Sequence, residues 1–194
     1  MLIAGHDVGG LVAELEAYSY KDVDGLIVVT MADQGFTPWI IQRATEAAWN
    51  WCTANPQPAS DQPGSPSGYA NFVSDQEWRQ LLFFDADPRV IDVTVQLKNR
   101  NPCGILRSTE TAVVVDHPRL AEITVPVLVV FGDNDTLVWT RQGQQQQQDN
   151  YGSTDKTTIF IPRAGHFVMF EKTAPQMRAA ISAWLRARPA PVAP

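Results

Sequence analysis

The opening thirty residues constrain this chain more than any other stretch. Apolar Met1-Leu2-Ile3-Ala4 reads as the end of a strand and runs straight into Gly5-His6-Asp7-Val8-Gly9-Gly10. Leu11, Val12, Leu15 and Tyr18 then share one helical face, with Glu14 and Glu16 off it, which predicts a helix over about residues 9–20. The β-branched run Leu26-Ile27-Val28-Val29-Thr30-Met31 has the continuous hydrophobicity of a strand covered on both faces of a parallel sheet. Strand, glycine turn, helix and strand in that order make a βαβ unit, so the fold class is α/β with helices layered on a parallel sheet.

The rest of the chain extends that reading. Residues 33–120 lose the periodicity and gather aromatic side chains, among them Phe36, Trp39, Trp49, Trp51, Tyr69, Phe72 and Trp78, so they form a separate inserted region. Within it, residues 38–52 and 74–84 look helical, and the proline-rich stretch 55–68 is a loop. Val125-Pro126-Val127-Leu128-Val129-Val130-Phe131 resumes the buried-strand pattern and ends in Gly132-Asp133-Asn134-Asp135. The glutamines at 144–148 read as part of a solvated helix. A strand over 157–162 leads to Arg163-Ala164-Gly165-His166-Phe167, and a closing helix follows, with Thr173 and Gln176 in a capping-box pattern. The division is therefore 1–32 (core), 33–120 (insert), 121–188 (core) and 189–194, a proline-rich tail.

Charge and cysteine usage narrow the function classes. With 15 Lys+Arg against 21 Asp+Glu, the net charge of -6 offers no basic excess for phosphates, so neither nucleic acid nor a membrane surface is an expected partner. No apolar run approaches the ~20 residues of a membrane span. Cys52 and Cys103 are too few and too far apart for a disulfide framework and read as ordinary thiols, which fits a cytoplasmic chain. No metal-ligand spacing and no cofactor motif is present, and the expected partner is a small-molecule substrate.

The chemistry is concentrated in three places. Gly5-His6-Asp7-Val8-Gly9 has the shape of a nucleophile elbow, a strained strand-to-helix turn that exposes a reactive side chain. Asp135 follows a late strand and His166 the next one, giving the order nucleophile, acid, histidine. His6 lies within the turn and His117 precedes Pro118 in a connection, which leaves His166 as the base. For the acid, Asp135, Asp133 and Asp33, just past the other strand, are the candidates.

With this order the sequence resembles the α/β-hydrolase superfamily, on GHDVGG at the turn, PVLVVFGDNDTLV before the acid and RAGHFVMFEKTAPQMRAAISAWL around the histidine. The resemblance implies an α/β-hydrolase-type sheet with a mainly helical cap at 33–120. It also implies a catalytic set of Asp7, Asp135 and His166, with the Val8 amide as an oxyanion donor. Trp39, Tyr69 and Phe167 are candidate substrate contacts, and the aromatic cap suits an apolar substrate.

Aspartate in place of the serine of most relatives alters the chemistry. A carboxylate is ionised at neutral pH and needs no activating base. Its attack on an ester carbonyl would give an anhydride, whereas attack on an alkyl carbon gives a stable ester. Asp7 therefore points to epoxide opening or halide displacement, followed by His166-activated water. Epoxide hydrolases of this type usually supply two cap tyrosines, and the insert holds only Tyr69. Dehalogenases often have tryptophan or arginine after the nucleophile, and here it is Val8. The alternative is a relative of the serine esterases with a degenerate or repurposed site, a lyase, cyclase or binding protein; a purely structural module has less in its favour. The resemblance further implies that relatives carry strands before the elbow, including the second oxyanion donor. The expectation is therefore the C-terminal portion of the fold, its open sheet edge covered by a missing N-terminal half or a homo-oligomer.

Overall fold

The computed structural model describes residues 1–54 and 68–188. Four parallel strands, β1 (Leu2–His6), β2 (Gly25–Val29), β5 (Val127–Gly132) and β6 (Lys156–Ile161), form one sheet in the order β1-β2-β5-β6. Alternation explains why the two central strands are apolar throughout. Leu26, Val28, Val127, Val129 and Phe131 enter one core with Leu11, Ala17 and Tyr18 of α1 (Val8–Tyr20), while Ile27, Val29, Leu128 and Val130 face Met177 and Trp184 of α8 (Ala174–Arg186). Each wholly buried large side chain here stabilises the fold strongly; removing the Phe131 ring costs about 3–5 kcal/mol.

Between β2 and β5 lie α2 (Pro38–Ala44), a π-helical turn (Thr45–Trp51), α3 (Cys52–Ala54), β3 (Tyr69–Ala70), α4 (Asp75–Leu81), α5 (Pro88–Leu97), β4 (Asn101–Pro102) and α6 (Cys103–Arg119). Thr37, Ser74 and Asp87 cap α2, α4 and α5 through their side chains, and Ser74 with Glu77 completes a capping box. In the π turn the Cys52 N–H reaches back to the Ala47 carbonyl, an i to i−5 bond. After β5, α7 (Arg141–Asn150) precedes β6.

Several expectations are corrected. Cys52 and Cys103 are not separate thiols: they form a disulfide, because the start of α6 returns to α3 and both residues share a small core with Ala47 and Ala70. The thiol argument for a reducing compartment falls with it. Glu14 is not on a solvated face but fully buried, and so are Gln144 and Gln147 of α7; Gln147 Nε2 donates to Glu14 Oε1 and Gln144 Nε2 to the Asp135 carbonyl. Thr173 makes no side-chain cap at α8. The 17-residue helix α6 falls where the sequence shows little amphipathic periodicity. The loop expected at 55–68, apart from Gly68, and the tail at 189–194 lie outside the described residues. Among the described residues, no helix is long and apolar enough to cross a membrane.

Candidate active site

Asp7 sits in the turn between β1 and α1 with φ 53° and ψ −129°, a backbone conformation costly for any residue with a side chain. Two features hold it there. The Asp7 N–H donates to the Val29 carbonyl at 3.0 Å and the Gly10 N–H to the Asp7 carbonyl at 2.7 Å. Gly5 lets the helix start press on the strand: a Cβ there would lie 1.9 Å from the Gly9 carbonyl oxygen. The Asp7 carboxylate does not cap α1; it is half exposed and lies 3.9 Å from His166 Nε2. Val8 opens α1, so its N–H is one of the first-turn donors without an intrahelical acceptor.

His166 comes from the loop after β6. Its Nδ1 meets Asp135 Oδ2 at 3.1 Å, and both side chains are buried. Asp135 is placed by the turn after β5, where Asn134 N–H bonds the Ala164 carbonyl and the Gln144 amide donates to the Asp135 carbonyl. Gly132 permits this approach, since a Cβ would stand 2.2 Å from the Gly165 carbonyl oxygen. Burial lowers the basicity of His166, but the Asp135 charge and hydrogen bond, with the Asp7 charge, outweigh it and hold the imidazole above its ordinary range. Asp133 instead pairs with Arg141, and Asp33 joins Glu14 and Asp116 in a buried cluster; no contact brings either to His166 among the described residues.

Other side chains complete the surroundings. His6 Nε2–H donates to the His166 carbonyl at 3.1 Å, and burial, then the neighbouring His166, pushes its pKa down, keeping it neutral. Phe167 packs among His166, His6, Trp78 and Phe83, with ring centroids 4.7–5.5 Å away. The buried Trp139, absent from the sequence expectations, lies 5.8 Å from the His166 ring. Trp39 packs between the core and the cluster around Phe83, whereas Tyr69 lines a separate cavity of about 290 Å³ with Arg43, Trp51 and Phe72. The indole N–H groups of Trp49, Trp51 and Trp78 are engaged by Glu110, the Tyr69 carbonyl and Thr94. Glu171, buried, accepts from Phe84 N–H and Gly165 N–H through Oε1 and from Asp85 N–H through Oε2, at 2.7–2.9 Å, tying the insert to the histidine loop.

The fold matches known structures over nearly its whole length. A monoacylglycerol lipase from Paleococcus ferrophilus superposes with a TM-score of 0.71 at 19% identity, covering 95% of this chain and 67% of that one. A thermophilic esterase from Thermogutta terrifontis gives 0.69 at 22%, covering 96% and 65%, and MenH from S. aureus 0.68 at 18%, covering 96% and 68%. The chain thus spans about two thirds of the length of the structures it matches. No curated protein matches the sequence significantly. The family described as "Serine aminopeptidase, S33" matches residues 1–173, most of the chain, and the protein belongs to that family of α/β-hydrolases.

Proposed function

We propose that this α/β-hydrolase cleaves a small, largely apolar alkyl electrophile by covalent catalysis on Asp7. The observation that carries this reading is the carboxylate in the strained turn, 3.9 Å from His166 Nε2, with Asp135 on the far imidazole nitrogen. A serine at this place must hand its proton to the histidine through a hydrogen bond of about 2.6–3.2 Å. Attack by a carboxylate oxygen needs no such transfer, and the longer separation suits it. In the first step an Asp7 carboxylate oxygen bonds the alkyl carbon as the bond to halide or epoxide oxygen breaks. In the second, His166 Nε2 takes a proton from water, which attacks the Asp7 carbonyl carbon and releases the alcohol. Esterification removes the Asp7 charge, one of the influences that raise His166, so forming the intermediate makes the imidazole easier to deprotonate ahead of the step in which it acts as base. The insert acts as a cap, with Phe167, Trp78 and Phe83 as the apolar wall beside the imidazole.

Turnover in heavy-oxygen water tests this. The label is expected in the Asp7 carboxylate, and His166→Gln should trap the ester as a mass increase on the peptide containing Asp7. Turnover that leaves Asp7 unlabelled refutes it. The second reading, a serine-type ester site in which Asp7 is degenerate, is favoured by the serine in the family's description and by lipase and esterase neighbours. It predicts that Asp7→Ser gains hydrolysis of aryl esters.

A further inference from the structure

The loop that carries His166 is bonded through its backbone on two sides. Toward the sheet, the Ala164 carbonyl accepts from the Asn134 N–H at 2.8 Å and the His166 carbonyl from His6 Nε2–H at 3.1 Å. Toward the insert, the Gly165 N–H donates to Glu171 Oε1 at 2.9 Å and the Phe167 N–H to the Leu82 carbonyl at 3.3 Å. The same Glu171 Oε1 accepts from the Phe84 N–H at 2.7 Å, and Oε2 accepts from the Asp85 N–H at 2.8 Å. One oxygen shared by the histidine loop and the insert therefore sets the spacing between them.

The fit leaves little slack. Glu171 is buried, and N–H bonds to a carboxylate are roughly twice as strong as bonds between neutral groups. A Cβ on Gly165 would lie 2.9 Å from the Leu82 carbonyl oxygen and 3.1 Å from the Phe84 nitrogen, so the loop rests against the insert backbone. The two ends of the imidazole are held unequally. Nδ1 is fixed by Asp135 Oδ2 at 3.1 Å, whereas Nε2 lies 3.9 Å from Asp7 Oδ1, beyond hydrogen-bond reach. A displacement of Gly165 therefore turns the ring about its Asp135 end and moves Nε2, the atom that must meet water. Asp7 is held by its own bonds to Val29 and Gly10 and does not follow.

We propose that Glu171 is a positioning residue for His166, and that through its shared oxygen the seating of residues 82–86 on the core sets how well the imidazole acts as base. The proposal rests on the covalent reading of Asp7 and separates its two steps. Ester formation uses the Asp7 carboxylate alone. Ester hydrolysis needs Nε2 placed against water, and Glu171 acts only there. The exposed Lys172 ammonium also joins the core to the insert, through Asp85 Oδ1 at 2.7 Å, but makes no bond to the histidine loop. Its removal is the natural control.

The test uses the full chain. Glu171→Gln keeps the size, but whichever way its amide turns, an NH2 group faces an N–H where a carboxylate oxygen accepted. Intact-mass measurement should show alkylation of Asp7 by a terminal epoxide at the parent rate, while release of the ester falls about 10–10²-fold, the loss expected of a shift near 1 Å. Lys172→Gln should alter neither step. The Nδ1–H proton resonance of His166, identified by its loss in His166→Gln, should move in Glu171→Gln at temperatures well below melting and exchange faster with water. Release at the parent rate, an equal loss in both steps or an unmoved resonance overturns the proposal. Absence of an ester on Asp7 in the parent protein refutes the Asp7 reading instead, and the resonance then decides alone. If Glu171→Gln does not fold, hydrogen exchange in the parent protein decides. The Gly165, Phe84 and Asp85 amides are expected to open together, and a Gly165 amide that exchanges far ahead of the other two overturns the proposal.

Discussion

Two glycines of the same turn should respond oppositely to one added methyl group. At Gly5, an alanine Cβ would lie 1.9 Å from the Gly9 carbonyl oxygen and 2.2 Å from its carbon, both backbone atoms with no side chain to swing away. The contact must open to at least 3.0 Å, so the first turn of α1 retreats by about 1 Å and carries Asp7 with it. Overpacking of this kind costs about 1–3 kcal/mol. At about 2–4 °C per kcal/mol for a chain this size, Gly5→Ala should lower Tm by roughly 2–12 °C. A shift of about 1 Å at the reacting group should also slow ester formation on Asp7 about 10²-fold. At Gly9 nothing lies within 4 Å of the same methyl and φ is not positive, so Gly9→Ala should leave Tm unchanged or raise it, through about 0.4–1 kcal/mol of lost unfolded-state freedom. Calorimetric melting and intact-mass labelling of Asp7 by a terminal epoxide read the two effects. The stability comparison stands whatever the substrate. A Gly5→Ala protein that melts like the parent, or a Gly9→Ala protein equally damaged, would refute the steric account.

Other perturbations follow from the same geometry. Asp135→Asn keeps the shape but lets the imidazole take the wrong tautomer, so single-turnover hydrolysis should fall about 10³–10⁴-fold with the melting curve little changed. Reducing Cys52–Cys103 frees a loop with a sequence separation of 51 residues, worth about 4 kcal/mol of unfolded-state entropy; hydrogen exchange should speed up in residues 45–54 and the start of α6. Glu14 binds protons more tightly folded, at about 8, than its ordinary 4.5, and Asp33 shifts the same way. Their stabilisation is complete below the ordinary values and lost as pH rises through the folded ones, and the raised His166 acts in the same direction. The urea midpoint should therefore be higher at pH 5.5 than at pH 8.5, and a flat profile would contradict the buried cluster.

Local order was legible in the sequence where one segment declares itself. The runs at β2 and β5 are apolar because helices cover both faces, and the sharp turn is visible because only small residues fit beside Asp7. That Asp135 rather than Asp133 or Asp33 meets His166 was implied by the family resemblance, not by any local signal. What escaped depends on distant segments meeting. Glu14 occupies a polar position on a short amphipathic helix, and nothing local shows that Asp33 and Asp116 will close over it. Cys103 finds Cys52 only because the insert folds back, and Tyr69, read as a substrate contact, is carried to another cavity by the β3–β4 pairing. Trp139 has no motif around it and gains its place from the turn that sets Asp135.

Glu171 bears on how this scaffold can be recombined. Exchange of residues 33–120 between relatives needs two cuts, where the chain leaves β2 and where it re-enters β5. The carboxylate of Glu171 adds a third seam inside the transplanted piece, since the Phe84 and Asp85 N–H groups share it with Gly165, the neighbour of His166. A donor segment that fits at both cuts but presents no pair of N–H groups at this latch would leave a buried anion with one donor and a loosened histidine loop. Chimeras should therefore be selected for a matching backbone at 84–85 before any matching of pocket side chains.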